Sequence, residues 1–524
     1  MGVALLHGGL EEAAAEFGER TAVVSGDRRW TFAGLDALVR TYTEYLERAG
    51  VTPRSRVAVM TSNRVEFLVT VYATSRLGAA AALLNPVWKS REVGHALSLT
   101  RPVHAVADGP AVEVLRAQLG PEMVTDLDGP NGPGAGVEGA PAGAGAAGAS
   151  AGVGVGGASA GAGVDPGDDV LLVFSSGTTG LPKAVRHTHA SMGAAIEHWS
   201  AALGLGPTDR FQVATPPSHI LGLLNLVTAV SAGAQVRLHR RFDLDEVLRC
   251  IEADRLTLEM AVAPIALAMA NHPDIEKYDL SSLRYIMWGA TPVTPSVAEA
   301  VTRRTGVRWL PAYGASELPV LAANPVGHPD AWRLDSAGLP APGVQLRVVD
   351  LDTATTLPPG RTGEIQALSD SVMAGYLPEE ATAAAFTDGW YRTGDVGWME
   401  PEGWLHITDR SKEMIKVKGF QVAPAEIEAV LHGHRAVADC AVFGVADEGA
   451  GEVPVAAVEL IPGATVTESE LAGLVEESLA SYKRLRRVLI VDAIPRLPSG
   501  KVLRRTLRDE WEPRLRDELE GDDR

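Results

Sequence analysis

Hydrophobic and polar positions alternate along the N-terminal part of the chain with two periods. Short continuous apolar runs, AVV at residues 22–24, VAVM at 57–60 and AAALL at 80–84, read as strands covered on both faces. Between them, residues 31–49 and 63–77 space their apolar side chains as helices do, with Phe67, Val71, Thr74 and Leu77 on one face. This order predicts an α/β domain with mostly parallel sheets. Met192, Ala195, Ile196, Trp199 and Leu203 mark another amphipathic helix, and the alternation runs on to about residue 338. Then the period shortens to two. Val344, Leu346 and Val348, set among Gly- and Pro-rich turns, predict a small β-rich subdomain over residues 339–408. Residues 409–524 read as a separate α+β domain: a hairpin at 414–422, a helix at 424–431, strands at 438–445 and 453–460, a helix at 467–479, and a solvated or frayed charged run from 508. One stretch has neither period. Residues 129–164 are almost only Gly, Ala, Ser, Val and Pro, with Glu138 their single charge, and are expected to be a disordered surface insertion in the large domain of residues 1–408. Its GxGxxG at Gly152, Gly154 and Gly157 lacks the strand before and helix after that a dinucleotide loop needs.

Composition adjusts this picture little. A chain of 524 residues exceeds what one core usually serves, so two or more domains are expected. Lys plus Arg number 47 against 66 Asp plus Glu, and a net charge of −19 argues against nucleic acid or an anionic membrane surface as partner. Cys250 and Cys440 lie far apart without metal-ligand spacing, which fits a reducing, cytoplasmic compartment and two small buried hydrophobes. The N-terminal segment has no basic stretch before its short apolar run, unlike a signal peptide. The nearly uncharged residues 219–236 include Gly, Asn, Thr and Ser, which favours a core helix over a membrane span.

Candidate chemistry centres on one strand-to-loop passage. The apolar run 171–174 leads without a break into Ser175-Ser176-Gly177-Thr178-Thr179-Gly180, with Lys183 just beyond. Small residues let successive N–H groups face one concavity, hydroxyls add neutral donors, and the lysine adds a charge: a cradle for phosphate oxygens. It is not a Walker A loop, because Pro182 and Ala184 flank Lys183 where that pattern has Gly and Ser or Thr. Tyr313-Gly314-Ala315-Ser316-Glu317 follows the apolar run 307–310 and puts an aromatic ring and a carboxylate at a strand's carboxyl end, where open α/β sheets bind ligands. Gly289-Ala290-Thr291-Pro292 follows another strand, Tyr391-Arg392-Thr393-Gly394-Asp395 ends on a carboxylate, residues 409–424 carry a basic hairpin, and Pro498-Ser499-Gly500-Lys501 places an ammonium on a flexible turn.

Read together, SSGTTGLPKAV, YGASE, YRTGD, the 409–424 junction ending GFQVAP, and LPSGKVLRR resemble the motifs of the adenylate-forming superfamily, most of all 4-coumarate:CoA ligases and related acyl-CoA ligases. The resemblance runs from about residue 20 to about 505. It implies that Ser175 to Gly180 and Lys183 bind phosphate, that Tyr313 stacks on adenine beside Gly289, Ala290, Thr291, Gly314, Ala315 and Ser316, and that Asp395 and Arg410 hold the ribose. Ser316 stands where the family usually has Thr. Glu317 is implied as the Mg2+ ligand, Lys412 as the hinge of a mobile C-terminal domain, Lys501 as the catalytic lysine of adenylation, and Lys416 and Gln421 as neighbours of the acyl phosphate. His219, Leu221 and Asn225, with Gly289 and Gly314, are implied to line the acyl site, and Leu221 stands where hydroxycinnamate ligases commonly carry Tyr. The implied reaction joins a carboxylic acid to CoA using ATP and Mg2+, through an acyl-adenylate. Two other readings stay open: a different acceptor or acid (a carrier-protein thiol, or nitrite activated to diazotise an aryl amine), and a non-catalytic nucleotide-binding homologue. Against the last stands the joint presence of Glu317, Asp395, Lys416 and Lys501.

Overall fold

A computed structural model describes residues 5–130, 140–141, 163–175, 182–291, 293–410, 413–417, 420–447, 450–496 and 502–522, with backbone alone at 140–141, 410, 420–421, 451 and 516–522. Two sheets built mainly from parallel strands form the large domain. In one, strands Trp309–Tyr313, Tyr285–Trp288, Leu258–Ala261, Arg210–Val213, Gln235–Leu238 and Thr21–Ser25 lie side by side in parallel, with antiparallel strands at both edges. In the other, Asp169–Ser175, Ala80–Leu83, Arg56–Met60, His104–Ala107 and Val124–Asp126 run parallel, and Lys183–Thr188 and Gly375–Leu377 extend the sheet antiparallel.

Local sequence sets the helix starts. The Thr31 hydroxyl accepts from Gly34 N at 3.0 Å and opens helix Phe32–Arg48, a cap worth about 1 kcal/mol. Thr188 does the same for helix His189–Leu203, accepting from Ser191 N at 3.1 Å directly after strand Lys183–Thr188. Helix Val65–Arg76 departs from the one-sided expectation: Val69, Tyr72 and Arg76, on the opposite side, are buried as Phe67 and Val71 are. It packs at once on strands of one sheet and on helices Phe32–Arg48 and Ile220–Ser231 of the other layer, so no face is left for solvent.

The β-rich subdomain is an antiparallel five-stranded sheet of Val344–Val349, Gly363–Ser369, Trp390–Met399, Phe386–Thr387 and Leu405–Arg410. Its last strand stays paired through Val396 with Asp409 and Asp395 with Arg410, so the chain leaves this sheet two residues beyond the expected start of the C-terminal domain. That domain has its own sheet of Phe420–Val422, Ile415–Val417, Gly451–Leu460 and Val437–Asp447, with Arg487–Val491 parallel at its edge. The charged terminal run is helix Arg504–Asp522; it is not solvated all round, because Leu507 and Leu515 are buried against the sheet. Within the Gly/Ala-rich insertion, Ala140 and Pro141 pair with Arg29 and Arg28 on an edge strand, whose unpaired backbone groups offer bonds to any adjacent chain. The remainder of the insertion between residues 131 and 162 falls outside the described residues.

Candidate active site

A cavity of about 1390 Å³ opens where strands of both large-domain sheets end. Thr61, Leu83, Ser175, Ala214, His239, Val262, Gly289 and Ala312 each sit at or just past a strand's carboxyl end and reach its wall. Backbone N–H groups and loop side chains from seven or more connections can therefore converge on one ligand.

Ser175 and Lys183 face each other across the antiparallel pair Asp169–Ser175 and Lys183–Thr188, at the base of the hydroxyl-rich loop. The loop itself, Ser176 to Leu181, lies outside the described residues. Its base is braced on both sides: Trp88 meets Phe174 edge-on at 5.2 Å between ring centroids, and the His95 Nε2 donates to the Pro182 carbonyl at 2.9 Å. The Lys183 ammonium lies over the Tyr376 ring, 5.2 Å from its centroid.

The loop after strand Trp309–Tyr313 is fixed by its backbone. Leu321 N donates to the Tyr313 carbonyl at 2.8 Å and Ala315 N to the Leu318 carbonyl at 3.0 Å. A Cβ on Gly314 would come within 2.1 Å of the Pro319 carbonyl oxygen, so no side chain fits there. His187, buried and with its imidazolium pushed down to about 4 by that burial, donates through Nε2 to the Ser316 carbonyl at 2.8 Å. The Glu317 carboxylate accepts the Tyr376 hydroxyl at 2.8 Å, and the Glu317 carbonyl accepts Met373 N, also at 2.8 Å. Tyr376 thus joins Glu317 to Lys183. Nothing in the sequence marks it: a tyrosine in a three-residue strand looks like any core aromatic until Gly375–Leu377 pairs with Lys183–Thr188.

At the start of the same loop the Tyr313 hydroxyl donates to Asp395. Asp395 is buried; its N–H donates to the Thr393 hydroxyl at 3.0 Å, and that hydroxyl donates to the Ile365 carbonyl at 2.7 Å. Gly394 between them has φ +70°, which favours glycine. Ala290, at the end of strand Tyr285–Trp288, holds φ +65° without that freedom, a strain on the order of 1 kcal/mol kept beside the cavity. Thr291 is turned to structure: its hydroxyl accepts Ala263 N and Trp288 Nε1, each at 3.2 Å.

The apolar end of the cavity is walled by Trp199, His219, Leu221, Met260, Val262 and Met287. His219 caps helix Ile220–Ser231, its Nδ1 accepting Leu221 N at 3.3 Å, and burial lowers its imidazolium to about 4, so it is neutral near pH 7. Leu221 lies where a Cβ on Gly289 would approach its Cδ2 to 3.3 Å. Asn225 does not reach the wall. It is fully buried behind it, accepting Trp199 Nε1 at 2.8 Å and contacting Met260 Sδ at 2.9 Å through Nδ2; one turn along a helix packed on all sides points inward, not toward the cavity.

The C-terminal domain contributes Leu503, its one cavity-lining residue among those described. Leu503 follows a clasp in which Arg496 bridges Val502 and Leu503 N donates to the Pro495 carbonyl at 2.9 Å. Asp439 holds Arg496 through two bonds of 2.8 and 2.7 Å. Lys501, Lys412, Pro292 and the side chains of Arg410 and Gln421 fall outside the described residues. Lys416 is exposed on strand Ile415–Val417, off the cavity wall, with its N–H bonded to Glu452 at 2.8 Å.

The same arrangement recurs in known proteins. Residues 10–377 match the AMP-binding enzyme family and residues 426–501 the AMP-binding enzyme C-terminal domain. The chain is 33% identical over 516 residues to 4-coumarate–CoA ligase 2 of Solanum tuberosum, covering 96% of this chain and 93% of the relative. Among solved structures, an amide bond synthetase from Marinactinospora thermotolerans is 30% identical with a TM-score of 0.85, covering 97% of this chain and 99% of that one. ATP-bound MatB from Rhodopseudomonas palustris is 26% identical with a TM-score of 0.84, covering 98% and 99%. Among the described residues no helix is long and apolar enough to cross a membrane. A cavity at the strand ends, walled by Lys183, Tyr313 and Glu317 and shared between two domains that both match, carries the conclusion that this chain belongs to the AMP-binding enzyme family and is an AMP-forming ligase of the adenylate-forming class.

Proposed function

We propose that the enzyme is an ATP- and Mg2+-dependent acid:CoA ligase acting on an aryl, cinnamic or medium-chain carboxylic acid, working in the cytoplasm. The observation that carries this reading is the division of one cavity into a polar end, with Lys183, Glu317, Tyr376 and the Tyr313–Asp395 pair, and an apolar end walled by Trp199, Met260 and neutral His219. The apolar end excludes water from a hydrophobic acid, and the polar end suits a nucleotide triphosphate. Asp395 exchanges the Tyr313 hydroxyl for ribose hydroxyls, which frees the Tyr313 ring to stack on adenine. The carboxylate of the acid attacks the α-phosphorus, pyrophosphate leaves, and the protein's task is orientation and charge balance: Lys183 at the phosphates, Lys501 at the developing oxyanion.

Glu317 suits Mg2+, since that ion takes one or two carboxylates and completes its shell with phosphates and water, and the Tyr376 bond uses one carboxylate oxygen only. When bound, the ion neutralises phosphate charge. For the second step, pivoting at Lys412 would carry exposed Lys416, and Gln421 with it, toward the adenylate while Lys501 withdraws. The likeness to 4-coumarate–CoA ligases favours CoA as acceptor. A second reading follows from the likeness to an amide bond synthetase: an amine receives the acyl group instead. A carrier-protein thiol or nitrite activation has no comparable support. The test is product analysis by mass spectrometry across aromatic, cinnamic and aliphatic acids with ATP and either CoA or an amine. AMP and an acyl-CoA are expected; AMP with amide and no thioester would replace the first reading by the second.

A further inference from the structure

We propose that His239, Glu246 and Cys250 form a zinc-binding site beside the cavity, separate from the nucleotide site. Cys250 has no ligand partners legible by spacing alone, because its two companions become neighbours only through local folding. Glu246 and Cys250 lie four apart on helix Leu244–Asp254 and so share a face, and His239 ends the strand Gln235–Leu238 that leads into this helix. One ligand atom of each residue lies within 4.8 Å of the other two. Tetrahedral zinc with ordinary bond lengths sets its ligand atoms about 3.3–3.8 Å apart, so side-chain rotation alone closes the site.

The stronger sign is the state of His239. It is 3% exposed, and its Nδ1 has no hydrogen-bond partner among the described residues, with the nearest Glu246 oxygen 3.7 Å away. Its other nitrogen, Nε2, meets Gln212 Oε1 at 2.5 Å. The orientation of that amide is set from its far end, where Gln212 Nε2 donates to the Val247 carbonyl, which can only accept, at 3.4 Å and meets the Glu259 carboxyl. Gln212 therefore accepts, Nε2 carries the hydrogen, and the bare Nδ1 lone pair faces Glu246 and Cys250. A metal-bound imidazole is held this way, its second nitrogen donating to a fixed acceptor. Imidazole, thiolate and carboxylate together suit zinc over magnesium, and the half-exposed Glu246 leaves an entry path. Bound metal would tie helix Leu244–Asp254 to the strand end at the cavity wall, where His239 itself sits.

The experiment uses full-length, nucleotide-free protein, titrated with Zn2+ against a chromophoric chelator, then with Co2+ as spectroscopic probe. Wild type is expected to bind one Zn2+ per chain with sub-micromolar affinity, to gain thermal stability, and to show a thiolate-to-cobalt charge-transfer band. Cys250→Ser is expected to weaken Zn2+ at least a hundredfold and abolish the band, and Glu246→Gln to weaken it about tenfold, with metal-free melting temperatures unchanged. Equal binding by wild type and Cys250→Ser, no binding by wild type, or a cobalt band that survives Cys250→Ser and so belongs to Cys440 would each overturn the proposal.

Discussion

At the scale of single residues, the cavity depends on charges whose partners are named. Asp395 accepts the Tyr313 hydroxyl and is proposed to accept two ribose hydroxyls in its place, each charge-assisted bond contributing about 1.5–3 kcal/mol. Asp395→Asn is therefore expected to raise KM for ATP roughly tenfold to a hundredfold, while Tyr313→Phe, which keeps the ring and removes only the competing hydroxyl, should change it far less. Steady-state kinetics at saturating acid distinguishes the two; equal effects would mean that Asp395 serves only to hold Tyr313. Behind the cavity, burial raises the Glu259 carboxyl to about 8 from its ordinary 4.5, and it lowers His187 and His189 to about 4 from 6.5. The signs oppose. An acid raised in the fold contributes stability that is lost as pH rises from 4.5 through 8, whereas a depressed histidine loses its contribution as pH falls from 6.5 through 4. Above pH 6.5 only Glu259 acts among these three, so the melting temperature of Glu259→Gln relative to wild type should climb by a few degrees between pH 6.5 and pH 8. A flat difference would place Glu259 as an ionised group at neutral pH.

At the scale of elements, the loop after Trp309–Tyr313 is the least tolerant part. Gly314→Ala would force its Cβ onto the Pro319 carbonyl at 2.1 Å, which moves the backbone between Tyr313 and Glu317 rather than a flexible side chain. Adenylation at least a hundredfold slower is expected, with the far-ultraviolet circular dichroism preserved; near-normal turnover would show that this loop adapts. What was legible in the sequence divides along the same line. The doubly covered strands were read correctly, since a short unbroken apolar run bounded by turn residues has few other structural uses. Asn225 was misplaced because helix Ile220–Ser231 is apolar nearly all round, so periodicity could not say which side faced the cavity. Tyr376 was missed because its role comes from a short strand pairing onto the large-domain sheet, a contact nearly two hundred residues from Lys183 in sequence.

At the scale of the whole molecule, the proposed mechanism assigns Lys501 and Lys416 to different half-reactions. The C-terminal domain meets the cavity through Leu503, whereas Lys416 is exposed away from it. If the domain pivots between half-reactions, a lysine stabilises only the transition state it meets. Lys416→Ala is then expected to form adenylate normally and transfer it slowly, and Lys501→Ala to accept synthetic acyl-AMP normally; equal losses in both half-reactions for both variants would contradict a pivot. Beneath this lies the claim that one cavity activates an acid through its adenylate, and the most direct measurement is acid-dependent exchange of labelled pyrophosphate into ATP without CoA. At least one carboxylic acid should support exchange, and Lys501→Ala should slow it a hundredfold or more, as loss of about 3 kcal/mol of transition-state stabilisation requires. ATP consumed in the presence of acid to give ADP and phosphate, with no exchange, would contradict it.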